Sequence, residues 1–249
     1  MTWADTSHVM GAGKMKFNDD LYVLEIPMSI GGHTSIMNIS LIVDAEKGAT
    51  LVDAGLPGQE TLIEAAIAEA GLNLGDLKFL LLTHQDLDHV GSLNALKQIS
   101  GATVQSSDVE APYIQGDKPS YKMPPPEVLD RMPEFKAMIE AKKPTQVDQL
   151  LVDDQRLDIA GGVRIVATPG HTPGHISLYL ERTKTLITGD ALTSNAGTLH
   201  GPMEQATPDM EAARASVRKL AELDVETIVC YHGGLVTEDA NGQLKRVAA

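Results

Sequence analysis

Four short apolar runs, each ending in side chains able to hold a metal ion, constrain this chain more than any other feature of its sequence. Phe79-Leu80-Leu81-Leu82 runs directly into Thr83-His84-Gln85-Asp86-Leu87-Asp88-His89, with four metal-competent groups packed into one turn. Val166-Ala167 leads to Thr168-Pro169-Gly170-His171-Thr172-Pro173-Gly174-His175, Leu186-Ile187 to Thr188-Gly189-Asp190, and Val229-Cys230 to Tyr231-His232-Gly233-Gly234. A lone histidine is ordinarily a satisfied core or surface residue, but His, Asp, Asp and His at single-residue gaps have no better use in a core. Each later run delivers one nitrogen or oxygen ligand beside glycine, which lets the backbone turn sharply. Apolar strands ending at one edge of a sandwich would bring these ligands together. Alternation in an extended turn aims His84, Asp86 and Asp88 one way, with His89 following as the chain enters a helix.

The surrounding pattern supplies that sandwich. After a loose extension over residues 1–15, strands are expected over 21–26, 38–43 and 50–52, forming an antiparallel meander. Apolar positions at helical spacing predict a helix over 58–70 that stops at Gly71, then a strand over 79–82, a helix over 92–99 and a strand over 103–105. The second half repeats this grammar, with strands over 150–152, 163–167, 176–180, 185–187 and 227–230 and a helix over 209–223 capped by Thr207 or Asp209. Two halves built this way predict an α/β fold of four layers, αββα, with two mixed β-sheets face to face and helices outside, spanning 1–249 as one domain.

Residues 108–147 differ in character. Pro112, Pro119, Pro124-Pro125-Pro126, Pro133 and Pro144 alternate with Tyr113, Tyr121, Met123, Met132, Phe135 and Met138. So dense a proline segment excludes a central strand and leaves room for one helix, over 127–141. Its expected role is a cap over a pocket, with Tyr and Met as adaptable contacts; an ordinary surface excursion is the alternative.

Composition narrows the chemistry. The single cysteine, Cys230, excludes a disulfide or a thiolate cluster, so any metal must use nitrogen and oxygen donors. A formal charge of −14, with only 20 Lys and Arg spread along the chain, argues against nucleic acid as substrate. A small molecule is the expected partner. No run approaches the length of a membrane span and the N-terminus has no secretory pattern, so a cytoplasmic protein is expected. Oligomeric state is not readable.

In order and spacing, these motifs resemble those of the metallo-β-lactamase superfamily: a His-x-His-x-Asp-His loop, a Gly-His-Thr-x-Gly-His loop, a Gly-Asp turn and a late His-Gly, over about Leu21 to Gly234. The resemblance implies two divalent ions, one held by His84, Asp86 and His171 and the other by Asp88, His89 and His232, with Asp190 bridging them. It also implies that Asp53 orients ligands, where a turn residue or helix cap is the alternative, and that His175 is structural. His33 and His200 are either pocket or surface histidines, and His8 carries no role. One departure stands out: Asp86 replaces the usual second histidine. Carboxylate is harder, so iron or manganese stands beside zinc, the first expectation. Two ions, three aspartates and one hydroxide sum to about zero charge, against about +1 with histidine at 86, so the water should be less acidified and the activity optimum higher.

The implied activity is hydrolysis of a small-molecule lactone, ester or thioester by a metal-held hydroxide, with Asp88 orienting water and relaying its proton. Within the superfamily, homoserine-lactone hydrolases carry a tyrosine where this chain has Thr193. Glyoxalase II-like thioesterases carry a helical domain after the last ligand, whereas 17 residues follow His232; a glutathione thioester is therefore not expected. Nuclease, secreted lactamase and flavodiiron branches lack their added elements here. A di-iron redox protein and a non-catalytic metal-binding sensor on the same fold are the alternatives from other classes.

Overall fold

A computed structural model describes residues 13–30 and 32–249. The first half builds a seven-stranded sheet from β1 (Gly13–Lys16), β2 (Leu21–Ile30), β3 (His33–Asp44), β4 (Gly48–Val52), β5 (Leu77–Leu81), β6 (Thr103–Ser107) and β7 (Gln149–Leu151), in that spatial order. β1 to β4 pair antiparallel, as the meander pattern predicts, and β4 to β7 pair parallel. The second half contributes β8 (Arg156–Leu157), β9 (Val163–Ala167), β10 (Ile176–Leu180), β11 (Thr185–Ile187), the ribbon β12 (Thr193–Asn195) and β13 (Thr198–His200), then β14 (Thr227–Cys230) and β15 (Gly234–Val236). The second sheet has the order β15-β14-β11-β10-β9-β8 and is mixed, with β11 parallel to β14.

Three apolar clusters make the four layers. Between the sheets, Leu21, Val23, Ile42, Val52 and Leu81 meet Val163, Ile165, Leu178, Leu180 and Val229. On the outer face of the first sheet, Leu24, Ile39 and Leu51 are covered by Ile63 and Ile67 of α1 (Glu60–Glu69) and by Leu93 and Leu96, which follow the short α2 (Leu87–Val90) on α3 (Leu93–Ser100). Strand alternation sends neighbouring side chains of β2 and β3 into these different layers. Between β6 and β7 the chain forms α4 (Ala111–Ile114), α5 (Pro126–Leu129) and α6 (Pro133–Ala141). On the second sheet, Tyr179, Leu186 and Ile228 pack under Val217 and Leu220 of α7 (Met210–Leu220) and Leu244 of α8 (Ala240–Ala248). Asp209 is the residue that caps α7, its carboxylate accepting from Ala212 N at 2.9 Å. Among the described residues no helix is long and apolar enough to cross a membrane.

Two expectations need correction. The extension over 1–15 is not loose at its end, because residues from Gly13 pair with β2 as an edge strand; residues 1–12, with His8, lie outside the described residues. The single helix over 127–141 is two helices, because Pro133 lacks an N–H and disfavours helical geometry at Met132, which has φ −124° and ψ 64°. α8, α4 and the β12–β13 ribbon had no recognised pattern.

Candidate metal centre

All the ligand-bearing turns leave the strands at one edge. β5 ends at Leu81 ahead of His84, β9 at Ala167 ahead of His171, β11 at Ile187 ahead of Asp190 and β14 at Cys230 ahead of His232. Backbone hydrogen bonds stitch these ends together across the sheets: Ile176 N to Thr83 O at 3.1 Å and Asn38 N to Tyr231 O at 2.9 Å. Glycine is required at two of the turns. At Gly233, φ is +106° and a Cβ would lie 1.7 Å from Ser194 O; at Gly189, φ is +51° and a Cβ would meet His175 Nε2 at 2.7 Å.

The seven ligand candidates fall into overlapping groups whose donor atoms lie within 4.8 Å of one another: His84, Asp86 and His171; Asp88, His89 and His232; and His84, His89 and Asp190. Asp86 Oδ2 is 3.4 Å from His84 Nε2 and 3.0 Å from His171 Nε2. Asp88 Oδ2 is 3.2 Å from His232 Nε2 and 3.8 Å from His89 Nε2. Asp190 stands between the two groups, its Oδ1 3.2 Å from His89 Nε2 and its Oδ2 3.3 Å from His171 Nε2 and 3.5 Å from His232 Nε2. The extended alternation holds for His84 and Asp86 only. α2 begins at Leu87, and that helical turn carries Asp88 and His89 to the second group together.

Ligand orientation comes from a buried network behind the imidazoles. Asp53, held at φ +70°, accepts from Thr83 N at 2.8 Å and from the Thr83 hydroxyl. With that proton committed, Thr83 Oγ1 accepts from His84 Nδ1 at 3.0 Å, while His89 Nδ1 donates to Asp53 Oδ2 at 2.9 Å. Both rings therefore turn Nε2 into the site. Those two nitrogens and Asp190 Oδ1 are buried with no hydrogen-bond partner. Orphaned, convergent, buried donors of this kind fit a divalent ion bound by nitrogen and oxygen. Asp53 thus stands as the resemblance implies. His175 accepts from Asp190 N at 3.0 Å through Nε2 and meets Thr168 Oγ1 at 2.8 Å through Nδ1, so both nitrogens serve the turn. His200 is exposed on β13, and the side chain of His33 lies outside the described residues.

Charge in the cluster is mutually compensated. Burial works against the charged form of Asp190, yet His89 and His232 hold its carboxyl well below the usual range. Burial likewise opposes a charge on His232, but Asp190 and Asp88 push it up to about 10. His175 is pushed well below the usual imidazole range by burial and by the neighbouring histidines, so it stays neutral.

Four neighbours of the candidate site escaped the sequence reading. The Lys122 ammonium contacts Asp86 Oδ2, lies 2.7 Å from His171 Nε2 and donates to Ala206 O at 3.2 Å. Glu110 is fully buried and ties two ligand loops together, accepting from Gln85 N at 3.0 Å and Gly174 N at 2.8 Å. The Tyr231 hydroxyl donates to Asp88 O, and its ring stacks on His89 with centroids 3.9 Å apart. Lys142 lines a cavity of about 440 Å³ beside Asp86 and Asp88, whose wall includes Tyr113, Met123, Phe135 and Ile139. Only Tyr231 carried a local signal, its place beside His232.

An αββα sandwich whose strand ends gather two His/carboxylate groups at one edge defines a metallohydrolase scaffold. The chain belongs to the metallo-beta-lactamase superfamily, whose family pattern matches residues 36–232. It is 32% identical over 203 residues to a probable metallo-hydrolase, YflN, of Bacillus subtilis, covering 74% of each chain. It is 34% identical over 213 residues to the hydroxyacylglutathione hydrolase GloC of Haemophilus influenzae, covering 84% of this chain and 90% of that protein. The crystal structure of a metallo-beta-lactamase family protein from Thermus thermophilus superposes with a TM-score of 0.72 at 25% identity, over 94% of this chain and 79% of the other. The match over nine-tenths of GloC removes the length argument against hydroxyacylglutathione substrates, since a protein so named has no large region unmatched by this chain.

Proposed function

We propose that this protein is a two-metal hydrolase that cleaves a small-molecule lactone, ester or thioester. In this reading His84, Asp86 and His171 hold one divalent ion, Asp88, His89 and His232 the other, and Asp190 both. The observation that carries it is the pairing of two donor groups around Asp190, with Asp86 and Asp88 of those groups lining a largely apolar cavity. Zinc is the first expectation; iron or manganese follows from carboxylate at position 86. When bound, the ions supply Lewis acidity, polarising the acyl carbonyl and lowering the pKa of the attacking water.

The chain's own residues do the rest. Asp88, partly exposed toward the cavity, orients the water and takes up its proton. Asp53 and Thr83 keep the imidazoles in one tautomer, so that no reorganisation accompanies the reaction. The 108–147 segment caps the site, and its Tyr113, Met123 and Phe135 shield the acyl group from water. The names of the metallo-hydrolase and hydroxyacylglutathione hydrolase relatives support acyl hydrolysis over a redox or sensor role. A small molecule suits the cavity, and the net charge of −14 disfavours nucleic acid. The test is turnover of a panel of lactones, aryl esters and thioesters by metal-loaded protein, with Asp88→Ala as the control. Turnover that disappears in the variant supports the reading, and no turnover across the panel overturns it.

A further inference from the structure

Among the described residues seven lysines form ion pairs with carboxylates, and Lys78, Lys143 and Lys245, which do not, are exposed to water. Lys97 pairs with Asp148 at 2.8 Å, Lys184 with Asp224 at 2.8 Å and Lys219 with Asp153 at 2.7 Å, all on the surface. Lys142, where α6 ends, is the contrast. It is half-buried in the cavity wall among Tyr113, Phe135 and Ile139, and no described carboxylate forms an ion pair with it. The acids that act on it from a distance are Asp86 and Glu110. Glu110 is already occupied by two backbone N–H groups and Asp86 by Lys122, so neither is free to neutralise it. Lys118, also in the wall, is partly engaged over the Tyr113 ring at 5.2 Å.

An ammonium kept in an apolar wall without a counter-ion is costly unless a ligand supplies one. Burial pushes Lys142 below the ordinary lysine range, as expected for a cation whose partner is not part of the chain. We propose that the cavity selects substrates bearing a carboxylate remote from the scissile carbonyl, and that Lys142 is the residue that binds it. This rests on the hydrolase reading for the word substrate, but the recognition itself does not. The carboxylate belongs to the acyl part or to the leaving group, and the experiment separates the two.

Three non-hydrolysable amides serve as probes: a neutral N-alkyl alkanamide, the same amide with a carboxylate ending the acyl chain, and the same amide with a carboxylate on the amine side. Their affinities are measured by calorimetry on the protein as purified. One carboxylated amide should bind about tenfold or more tighter than the neutral one, as one charge-assisted hydrogen bond provides. That ratio should fall to about one in Lys142→Met, which keeps the aliphatic stem, persist in Lys142→Arg and shrink as salt is raised. Which amide gains identifies the side. Equal binding of all three probes, or a ratio that survives in Lys142→Met, overturns the proposal. Selective binding without hydrolysis of any matching thioester would leave the site standing and remove the hydrolase reading; hydrolysis with no carboxylate preference would do the reverse.

Discussion

The Lys122 ammonium lies 2.7 Å from His171 Nε2, on the nitrogen that the first metal group needs, and it also contacts Asp86 of the same group. A cation on a flexible stem and a divalent ion would draw on the same lone pairs, so metal binding there has to displace the lysine. Lys122→Met should therefore raise metal affinity at the first site by about tenfold, the value of one charge-assisted hydrogen bond. Competition against a chromophoric chelator measures it. Identical affinity in the variant would show that the lysine does not compete.

Lys122 also alters the charge argument made from the motifs. Displaced from His171 Nε2 but still in the wall of the same cavity, its ammonium adds about +1 to the count over ions, aspartates and hydroxide, which brings the site level with a histidine-containing loop. Asp86→His should move the acid limb of the kcat/KM profile to lower pH, and Lys122→Met should move it higher, because each changes the positive charge facing the attacking water. Profiles that coincide with the parent protein's would contradict both.

Glu110 couples two ligand loops from a fully buried position. Glu110→Ala leaves Gln85 N and Gly174 N without partners, and at about 1–3 kcal/mol for each buried orphan the variant should lose roughly 2–6 kcal/mol of stability. Urea unfolding reads this directly. Loss of metal affinity should accompany it, since the His84 and His171 loops would no longer be held together.

Cys230 offers a test of the core. Burial pushes its thiol up to about 12, so the native protein should be inert to thiol reagents at neutral pH. The sign of the linkage is fixed: the unfolded chain releases this proton at lower pH than the native state, so the contribution to stability is complete below about 9 and is lost as pH rises toward 12. Cys230→Ala should flatten the alkaline decline in urea midpoint. Rapid labelling of native protein would contradict the buried placement.

The fold and the candidate metal donors were legible for the same reason. His84, His171, Asp190 and His232 each follow an apolar strand within a few residues, and the last three adjoin a glycine, so local pattern alone places them at strand ends. What local pattern cannot show is which distant side chain folds back onto them. Lys122 reaches His171 across 49 residues and Glu110 reaches Gly174 across 64, from a segment whose prolines gave a composition but no register. Lys142 stood in that segment as one of five lysines, and only the fold shows that it lines the cavity beside Lys118 and Lys122 without the aromatic or carboxylate partner that each of those has. The broken helix was legible at Pro133, where the general rule for the residue before proline would have ended the first helix.

The central claim is that the two donor groups around Asp190 hold two ions that the reaction needs. Elemental analysis of protein purified without added metal, followed by chelation and reloading, tests it most directly. The account predicts about two divalent ions per chain, turnover lost on chelation and restored on reloading, and about one ion per chain in a variant that removes both His89 and His232. Protein that takes up no metal on reloading, or that hydrolyses its substrate equally well after chelation, would contradict it.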